Sequence, residues 1–162
     1  MALALLSLGS NVDPLRHLQA AAAALRARFG EVRVSSIHRY PAVGFAGGDF
    51  LNAAAVIDSD LDPQALNDWL HALEDAHGRD RSGPRFGDRT LDIDIVYYDD
   101  LVMEGEGHLQ LPRAEVRHAF VLKPLAEIAP DFIDPLKHES LMMLWAAHPD
   151  HDTHFEQIDW KT

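Results

Sequence analysis

Two aspartates, Asp92 and Asp94, stand two positions apart in an otherwise apolar run that begins at Leu91. Such a run is typical of a β-strand, whose alternate side chains point to opposite faces, so both carboxylates would share one face. Aspartate is disfavoured in strands, and neighbouring like charges repel each other. A divalent cation removes both problems, because Mg²⁺ binds one or two carboxylates together with substrate phosphates. The spacing predicts a magnesium site for a nucleotide, but a solvated edge strand with surface acids fits it equally well.

A segment rich in glycine and arginine, from Gly78 to Arg89, leads directly into this strand. Guanidinium groups match phosphate oxygens and keep their charge, so a basic loop beside the carboxylates can close over a triphosphate. In isolation such a loop would be interpreted as solvated, with Asp80 and Asp88 neutralising some of its arginines. Next to a carboxylate pair, phosphate transfer is the favoured interpretation. The arginines concerned are Arg79, Arg81, Arg85 and Arg89.

Composition narrows the class of protein. With 162 residues and 47% hydrophobic residues, the chain predicts a single domain over 1–162, with 148–162 as a peripheral tail. A formal net charge of −12 disfavours nucleic acid and anionic membranes as partners. The sequence contains no cysteine, which fits a reducing compartment and excludes thiol catalysis. We expect a soluble, cytoplasmic monomer that acts on small molecules.

The elements that would position these groups follow the order β-α-β-β-α-β. The apolar run Ala2–Leu8 predicts a buried strand, and Asp13-Pro14 predicts the N-cap and first residue of a helix that Gly30 ends. Asp62-Pro63 repeats the same helix-start signal. This order is typical of an α+β, ferredoxin-like antiparallel sheet with helices on one face, here with C-terminal additions. Further strands are predicted at 32–37, 50–57 and 90–98, a hairpin up to 111, and short helices at 119–128 and 139–147.

Four motifs give a more specific indication. They are RFGDRTLDIDI at 85–95, LGSN at 8–11, FLNA at 50–53 and FVL at 120–122. In this order and spacing the chain, from about residue 3 to 135, resembles the hydroxymethyldihydropterin pyrophosphokinases of folate synthesis. The resemblance implies a ferredoxin-like α+β fold. It also implies transfer of pyrophosphate from ATP to the hydroxymethyl group of 6-hydroxymethyl-7,8-dihydropterin, with release of AMP.

The resemblance also implies roles for individual residues. Asp92 and Asp94 would bind two Mg²⁺ ions and would form the catalytic set with Arg79 and Arg89. Contacts to ATP would come from Glu74, Arg79, Arg81, Arg85, Phe86, Arg89, the backbone of Ile95, and Arg113. The pterin would lie between the rings of Phe50 and Phe120, with Asn52 at its edge and with the backbone of Tyr40, Pro41 and Val43. Core packing remains the ordinary alternative for both phenylalanines.

Some positions depart from the family pattern. Tyr40 stands where a threonine is usual, Phe86 replaces a tryptophan, Asp88 a proline, and Arg113 a histidine. The segment 114–118 is one residue short, so His118 falls where an arginine is expected. These changes leave the exact acceptor open. A divergent paralogue acting on a related pterin, and a non-catalytic nucleotide- or pterin-binding module, remain as alternatives. The histidines at 148–154 are interpreted as part of a solvated tail.

Overall fold

The structure is a computed structural model that describes residues 1–41, 48–78, 90–106 and 109–161. Several site predictions lie outside the described residues: Val43, Arg79, Arg81, Arg85, Phe86 and Arg89.

An antiparallel sheet forms the centre of the described structure. Strands β1 and β4 pair along their whole length, and β5 pairs with the other side of β1. The strand order is β5-β1-β4-β3-β8, with the short β2 also paired to β4, and β6 and β7 form a separate hairpin. The strands are β1 Ala2–Ser10, β2 Arg33–Val34, β3 Ile37–Tyr40, β4 Phe50–Ser59, β5 Asp92–Tyr98, β6 Met103–Glu104, β7 Gln110–Leu111 and β8 Gln157–Ile158.

The helices cover the two faces of this sheet. Helices α1 (Pro14–Phe29) and α2 (Pro63–Ala76) pack on the face that carries Leu6 and Leu8 of β1. Helices α3 (Ala119–Ile128) and α4 (Leu141–Ala146) pack on the opposite face. The predicted α+β, ferredoxin-like class is confirmed, and the C-terminal additions turn out to form a second layer. No helix among the described residues has the length and apolar character to cross a membrane.

The two predicted helix starts differ in their caps. The Asp62 side chain accepts a hydrogen bond of 2.8 Å from the Ala65 amide, as an N-cap should. Asp13 occupies the predicted N-cap position, with Pro14 as the first helical residue, but its side chain makes no capping hydrogen bond. Its backbone is left-handed (φ 48°), and its carboxylate pairs with Arg16 at 2.6 Å instead. An ion pair within the first turn has replaced the cap.

The chain also departs from the expected pattern at one edge of the sheet. The strand predicted at 32–37 is split into β2 and β3, because Ser35 between them bonds the Ala54 backbone through both its amide and its hydroxyl. Of the histidines predicted to be solvated, His148 is half-buried and bonds the Arg117 carbonyl, while His151 and His154 are exposed. Beyond them the C-terminal segment adds β8 to β3. Trp160 anchors that segment by donating from its indole N–H to the Ser35 carbonyl at 2.8 Å. Two apolar side chains, Ile158 and Trp160, thus bring a polar stretch back onto the core.

Candidate active site

Strand β5 places its two aspartates on one face, as predicted. Leu91, Ile93 and Ile95 are fully buried in the core under α1 and α2. Asp92 and Asp94 alternate with them and are only partly buried on the opposite face. That face is the one covered by α3 and α4, so the C-terminal layer borders the site.

A third carboxylate joins this pair from helix α2. Glu74 is 1% exposed and accepts a hydrogen bond of 2.9 Å from the Ile93 amide at the outer edge of the sheet. Carboxylate oxygens of Glu74, Asp92 and Asp94 lie within 4.8 Å of one another. The sequence does contain a signal for this, because Glu74 continues the buried stripe of Leu66 and Leu70 at helical spacing. An acid in such a stripe needs a special partner.

These three groups suit a hard divalent cation. Their oxygens come from two different elements and converge without a histidine or thiolate, which is the donor chemistry of Mg²⁺. Two strand aspartates and a buried glutamate also concentrate negative charge, which a cation would offset. The donor set therefore fits the predicted magnesium. We define Glu74, Asp92 and Asp94 as the carboxylate cluster.

Arg113 supplies positive charge beside the carboxylate cluster. Its guanidinium lies 3.5 Å from Asp94 and 3.2 Å from Glu115, and its side chain is 22% exposed. Its backbone amide donates to the Val96 carbonyl, which ties the residue to β5. Burial lowers the pKa of Arg113, but the charges of Asp94 and Glu115 outweigh burial and raise the pKa overall. The group is thus a permanent cation next to the cluster.

Asn52 stands in the same cross-strand row as Asp92. The register pairs His38 with Asn52, Asn52 with Gly9, and Gly9 with Asp92, across β3, β4, β1 and β5. Residues in such a row point to the same face of the sheet. Asn52 and Asp92 are therefore separated by a single strand, and the residue on that strand has no side chain.

The Asn52 side chain lies so close to β1 that only glycine fits at position 9. A Cβ atom on Gly9 would lie 2.6 Å from the amide nitrogen of Asn52. The Asn52 amide instead leans over the strand and donates to the Leu8 carbonyl at 3.3 Å. Its Oδ1 is buried and has no hydrogen-bond partner in the described structure. The sequence pattern did not assign this role to Gly9.

Aromatic side chains occupy the row of the sheet next to Asn52. Tyr40 pairs in register with Phe50, and its ring centroid lies 6.4 Å from that of Phe120 on α3. Phe120 in turn stacks on His118, with 5.0 Å between centroids and 11° between planes. We define Tyr40, Phe50, Asn52 and Phe120 as the aromatic pocket. His118 thus has a packing role on Phe120.

The remaining predicted site residues lie at the borders of this region. Pro41 is exposed at the end of β3. Ile95 is buried on β5, the outermost strand. It lies two positions from Ile93, whose amide points away from β1 and donates to Glu74. By strand alternation the backbone of Ile95 also faces that edge. Burial, followed by the charge of Lys123, lowers the pKa of His38, which lies beside Asn52 and was not predicted as a site residue.

A ferredoxin-like α+β sheet that gathers three carboxylates and an arginine beside an aromatic pocket has the composition of a metal-assisted phosphate-transfer site. Comparison with known families identifies which family the chain belongs to. Residues 5–130 match the model of the family 7,8-dihydro-6-hydroxymethylpterin-pyrophosphokinase (HPPK). The chain belongs to this family, and the resemblance noted in its motifs is confirmed.

Three curated relatives are similar to this chain over most of their length. A 2-amino-4-hydroxy-6-hydroxymethyldihydropteridine pyrophosphokinase of Synechocystis sp. is 38% identical over 145 residues, covering 87% of this chain and 73% of the relative. One of Methylorubrum extorquens is 41% identical, covering 82% and 86% respectively. One of Pseudomonas aeruginosa is also 41% identical, covering 77% and 79%.

Solved structures support the fold. Plasmodium falciparum HPPK-DHPS in its wild-type form matches with a TM-score of 0.71 at 11% identity, covering 90% of this chain and 44% of the solved chain. A substituted variant of that protein with pterin and p-hydrobenzoate gives a TM-score of 0.73 at 12% identity, covering 90% and 41%. The chain therefore spans less than half the length of these solved proteins.

Proposed function

We propose that this protein transfers pyrophosphate from ATP to 6-hydroxymethyl-7,8-dihydropterin and releases AMP. In this reaction the hydroxymethyl oxygen of the acceptor bonds to the β-phosphorus of ATP. The bond between that phosphorus and the oxygen bridging to the α-phosphate breaks, and the acceptor hydroxyl loses its proton. The curated relatives carry the name of this activity, and the chain covers most of their length.

One observation carries the proposal: the carboxylate cluster and the aromatic pocket meet in a single cross-strand row. Asn52 and Asp92 are two strand spacings apart, about 10 Å between their backbones. A flat acceptor held at Asn52 therefore lies beside phosphates held at Asp92. Positioning of two reactants in this way is the main contribution that an enzyme makes to phosphoryl transfer.

On the nucleotide side, the carboxylate cluster and Arg113 have different roles. Bound at the cluster, Mg²⁺ would offset phosphate charge and polarise the transferred group. Arg113 lies where its guanidinium can turn from Asp94 to a phosphate oxygen while Glu115 retains it. The assigned arginines of 79–89 would add to this charge. Asp92, Asp94 and Glu74 are our candidate ligands.

On the acceptor side, recognition relies on ring faces and one amide. The rings of Phe50 and Phe120 offer apolar faces to a flat heteroaromatic. The Asn52 Oδ1 is buried and has no partner in the part of the chain that the structure describes, so it can accept a hydrogen bond from a ring N–H while Nδ2 donates to the Leu8 carbonyl. Hydrogen bonding to a substrate would remove the cost of this unpaired atom.

The decisive assay incubates purified protein with Mg²⁺, ATP and hydroxymethyldihydropterin and measures AMP by chromatography. We expect AMP to form in a one-to-one ratio with the pyrophosphorylated pterin, and only when all three components are present. Other reduced pterins, tested in parallel, identify a divergent acceptor preference. Binding of nucleotide without AMP release would contradict the proposal and favour a binding module. The cytoplasmic location and the monomeric state stay predictions.

A further inference from the structure

Two buried tyrosines on the same face of the sheet differ in one respect. Tyr97 is fully buried, and its hydroxyl donates to Asp134 at 2.5 Å. Tyr40 is 2% exposed, and its hydroxyl has no hydrogen-bond partner in the described structure. A buried hydroxyl without a partner is costly, so folded proteins rarely retain one without a reason.

Tyr40, whose hydroxyl has no hydrogen-bond partner among the described residues, belongs to the aromatic pocket. Tyr40 pairs in register with Phe50, and the next row pairs His38 with Asn52, so Tyr40 and Asn52 are diagonal neighbours on one face. Within the described parts of the chain, Asn52 Oδ1 is likewise buried and has no hydrogen-bond partner. Two unsatisfied polar atoms thus come from adjacent rows of one pocket. Such a concentration favours a shared cause, and a polar ligand would satisfy both atoms at once.

The C-terminal segment holds the Tyr40 ring in place. The ring of Phe155 lies 4.6 Å from that of Tyr40, centroid to centroid. Glu156 fixes this contact by accepting from the Arg39 amide at 2.9 Å and by pairing with the Arg39 guanidinium at 3.0 Å. Phe120 and His38 pack against other sides of the Tyr40 ring. The tyrosine is thereby prevented from turning towards a partner elsewhere.

We propose that the Tyr40 hydroxyl hydrogen-bonds the polar edge of the acceptor substrate and that Phe155 positions its ring for this contact. The inference rests on the proposed function, since it assigns a new contact to the same acceptor. The family resemblance gives only the backbone of Tyr40 a role. A phenol can both donate and accept, as a heteroaromatic edge with mixed donors and acceptors requires. Burial, followed by the charge of Glu127, raises the pKa of Tyr40 and keeps the hydroxyl protonated.

The test compares Tyr40→Phe with Tyr97→Phe, two substitutions that each remove only a buried hydroxyl. The dissociation constant of hydroxymethyldihydropterin is measured by calorimetry with a non-hydrolysable ATP analogue present, and stability by urea unfolding. Tyr40→Phe should raise this dissociation constant about tenfold, with the KM for ATP unchanged and stability unchanged or increased. Tyr97→Phe should lower stability and leave acceptor binding unchanged. Wild-type acceptor binding in active Tyr40→Phe overturns the inference and leaves the proposed function intact.

A second pair of variants tests the positioning role of Phe155. Phe155→Leu removes the ring contact with Tyr40 but keeps an apolar side chain, and Phe155→Tyr retains the ring. We expect Phe155→Leu to raise the KM for the acceptor several-fold without changing the KM for ATP, and Phe155→Tyr to restore it. Equal rises in both KM values, or none in either, would overturn the positioning role. A wild-type protein that releases no AMP would instead overturn the proposed function itself.

Discussion

The two ends of the site face treat buried polarity in opposite ways. At the carboxylate cluster, Glu74 bonds a backbone amide and Asp94 lies beside Arg113, so charges are opposed by other groups of the protein. In the aromatic pocket, by contrast, Asn52 Oδ1 and the Tyr40 hydroxyl have no partner among the described residues. The carboxylate cluster can replace its internal ion pairs by ion pairs with a ligand, whereas the aromatic pocket can form new hydrogen bonds with one.

This difference predicts which substrate each end controls. A ligand at the cluster must bring a cation and phosphates, whose binding depends on charge. A ligand in the pocket must bring a flat ring with polar edges, whose binding depends on shape and on a few directional bonds. Substitutions at one end should therefore change the binding of one substrate and spare that of the other.

The largest effect is expected from removing a charge at the cluster. Asp94→Asn should lower the rate of AMP release at least about a hundredfold while the protein stays folded, because a neutral amide is a poorer ligand for Mg²⁺ and no longer opposes Arg113. Asp58→Asn is the matched control, since Asp58 is an exposed strand aspartate outside the cluster. An Asp94→Asn protein as fast as the control would remove the cluster from catalysis.

An intermediate effect is expected from the residue between the two ends. Gly9→Ala introduces a Cβ atom 2.6 Å from the Asn52 amide nitrogen and must displace that amide. The KM for the acceptor should rise about tenfold, with a smaller change for ATP. Steady-state kinetics with each substrate varied in turn measures the difference. Gly48→Ala is the control, because its Cβ would meet nothing closer than 3.9 Å. A larger loss for ATP would contradict the assignment of Asn52.

Substitution of Arg113 should affect the binding of the nucleotide alone. Arg113→Ala should weaken binding of a non-hydrolysable ATP analogue about tenfold and leave acceptor binding unchanged, because the lost group is a charge at the cluster. Calorimetric titrations of the two ligands measure both quantities. Glu115→Gln should give a smaller loss, since it only loosens the guanidinium. Unchanged nucleotide affinity in Arg113→Ala would show that its charge serves only the free protein.

The smallest effect concerns stability behind the cluster. His77, one turn after Glu74, faces His17 of α1 with 2.6 Å between their Nδ1 atoms. Burial is the main cause that lowers the pKa of each ring, followed by Arg16 for His77 and by His77 itself for His17. The unfolded chain therefore binds more protons as the pH falls below the ordinary value of 6.5. Stability should be complete above that pH and decline below it.

Urea unfolding at about pH 8 and about pH 5.5 measures this decline. The variant His77→Gln should show a shallower pH dependence than the wild type, because one of the two rings that resist protonation is gone. An unchanged dependence would assign the decline to other groups, such as His38, whose pKa burial also lowers.

Local signals were enough to predict most of the fold. Apolar runs, helix-start residues and the alternation around Asp92 and Asp94 depend on the chain near each position, and they led to the correct order and face. The failures arise where a side chain bonds a partner that the local pattern does not specify. The Asp13 carboxylate pairs with Arg16 and makes no capping hydrogen bond, and the strand before Tyr40 is broken where Ser35 bonds Ala54.

The same distinction holds for the site. Asp92 and Asp94 could be paired from their spacing, and the aromatic pocket from a family resemblance. The need for a glycine at position 9 and the contact of Phe155 with Tyr40 join segments far apart in the sequence. Such contacts follow from sheet register and from the C-terminal strand, which no local pattern around these residues specifies.

On the proposed function, both substrates bind side by side on one face of the sheet. Paramagnetic relaxation by Mn²⁺, substituted for Mg²⁺, on the protons of a pterin bound with a non-hydrolysable ATP analogue measures the separation directly. Because Asn52 and Asp92 are two strand spacings apart, we expect the pterin protons to lie about 10 Å from the Mn²⁺ ion. The paramagnetic relaxation of the pterin protons should disappear in Asp92→Asn. A bound pterin whose protons lie more than about 20 Å from the metal, or four strand spacings, would contradict this side-by-side arrangement.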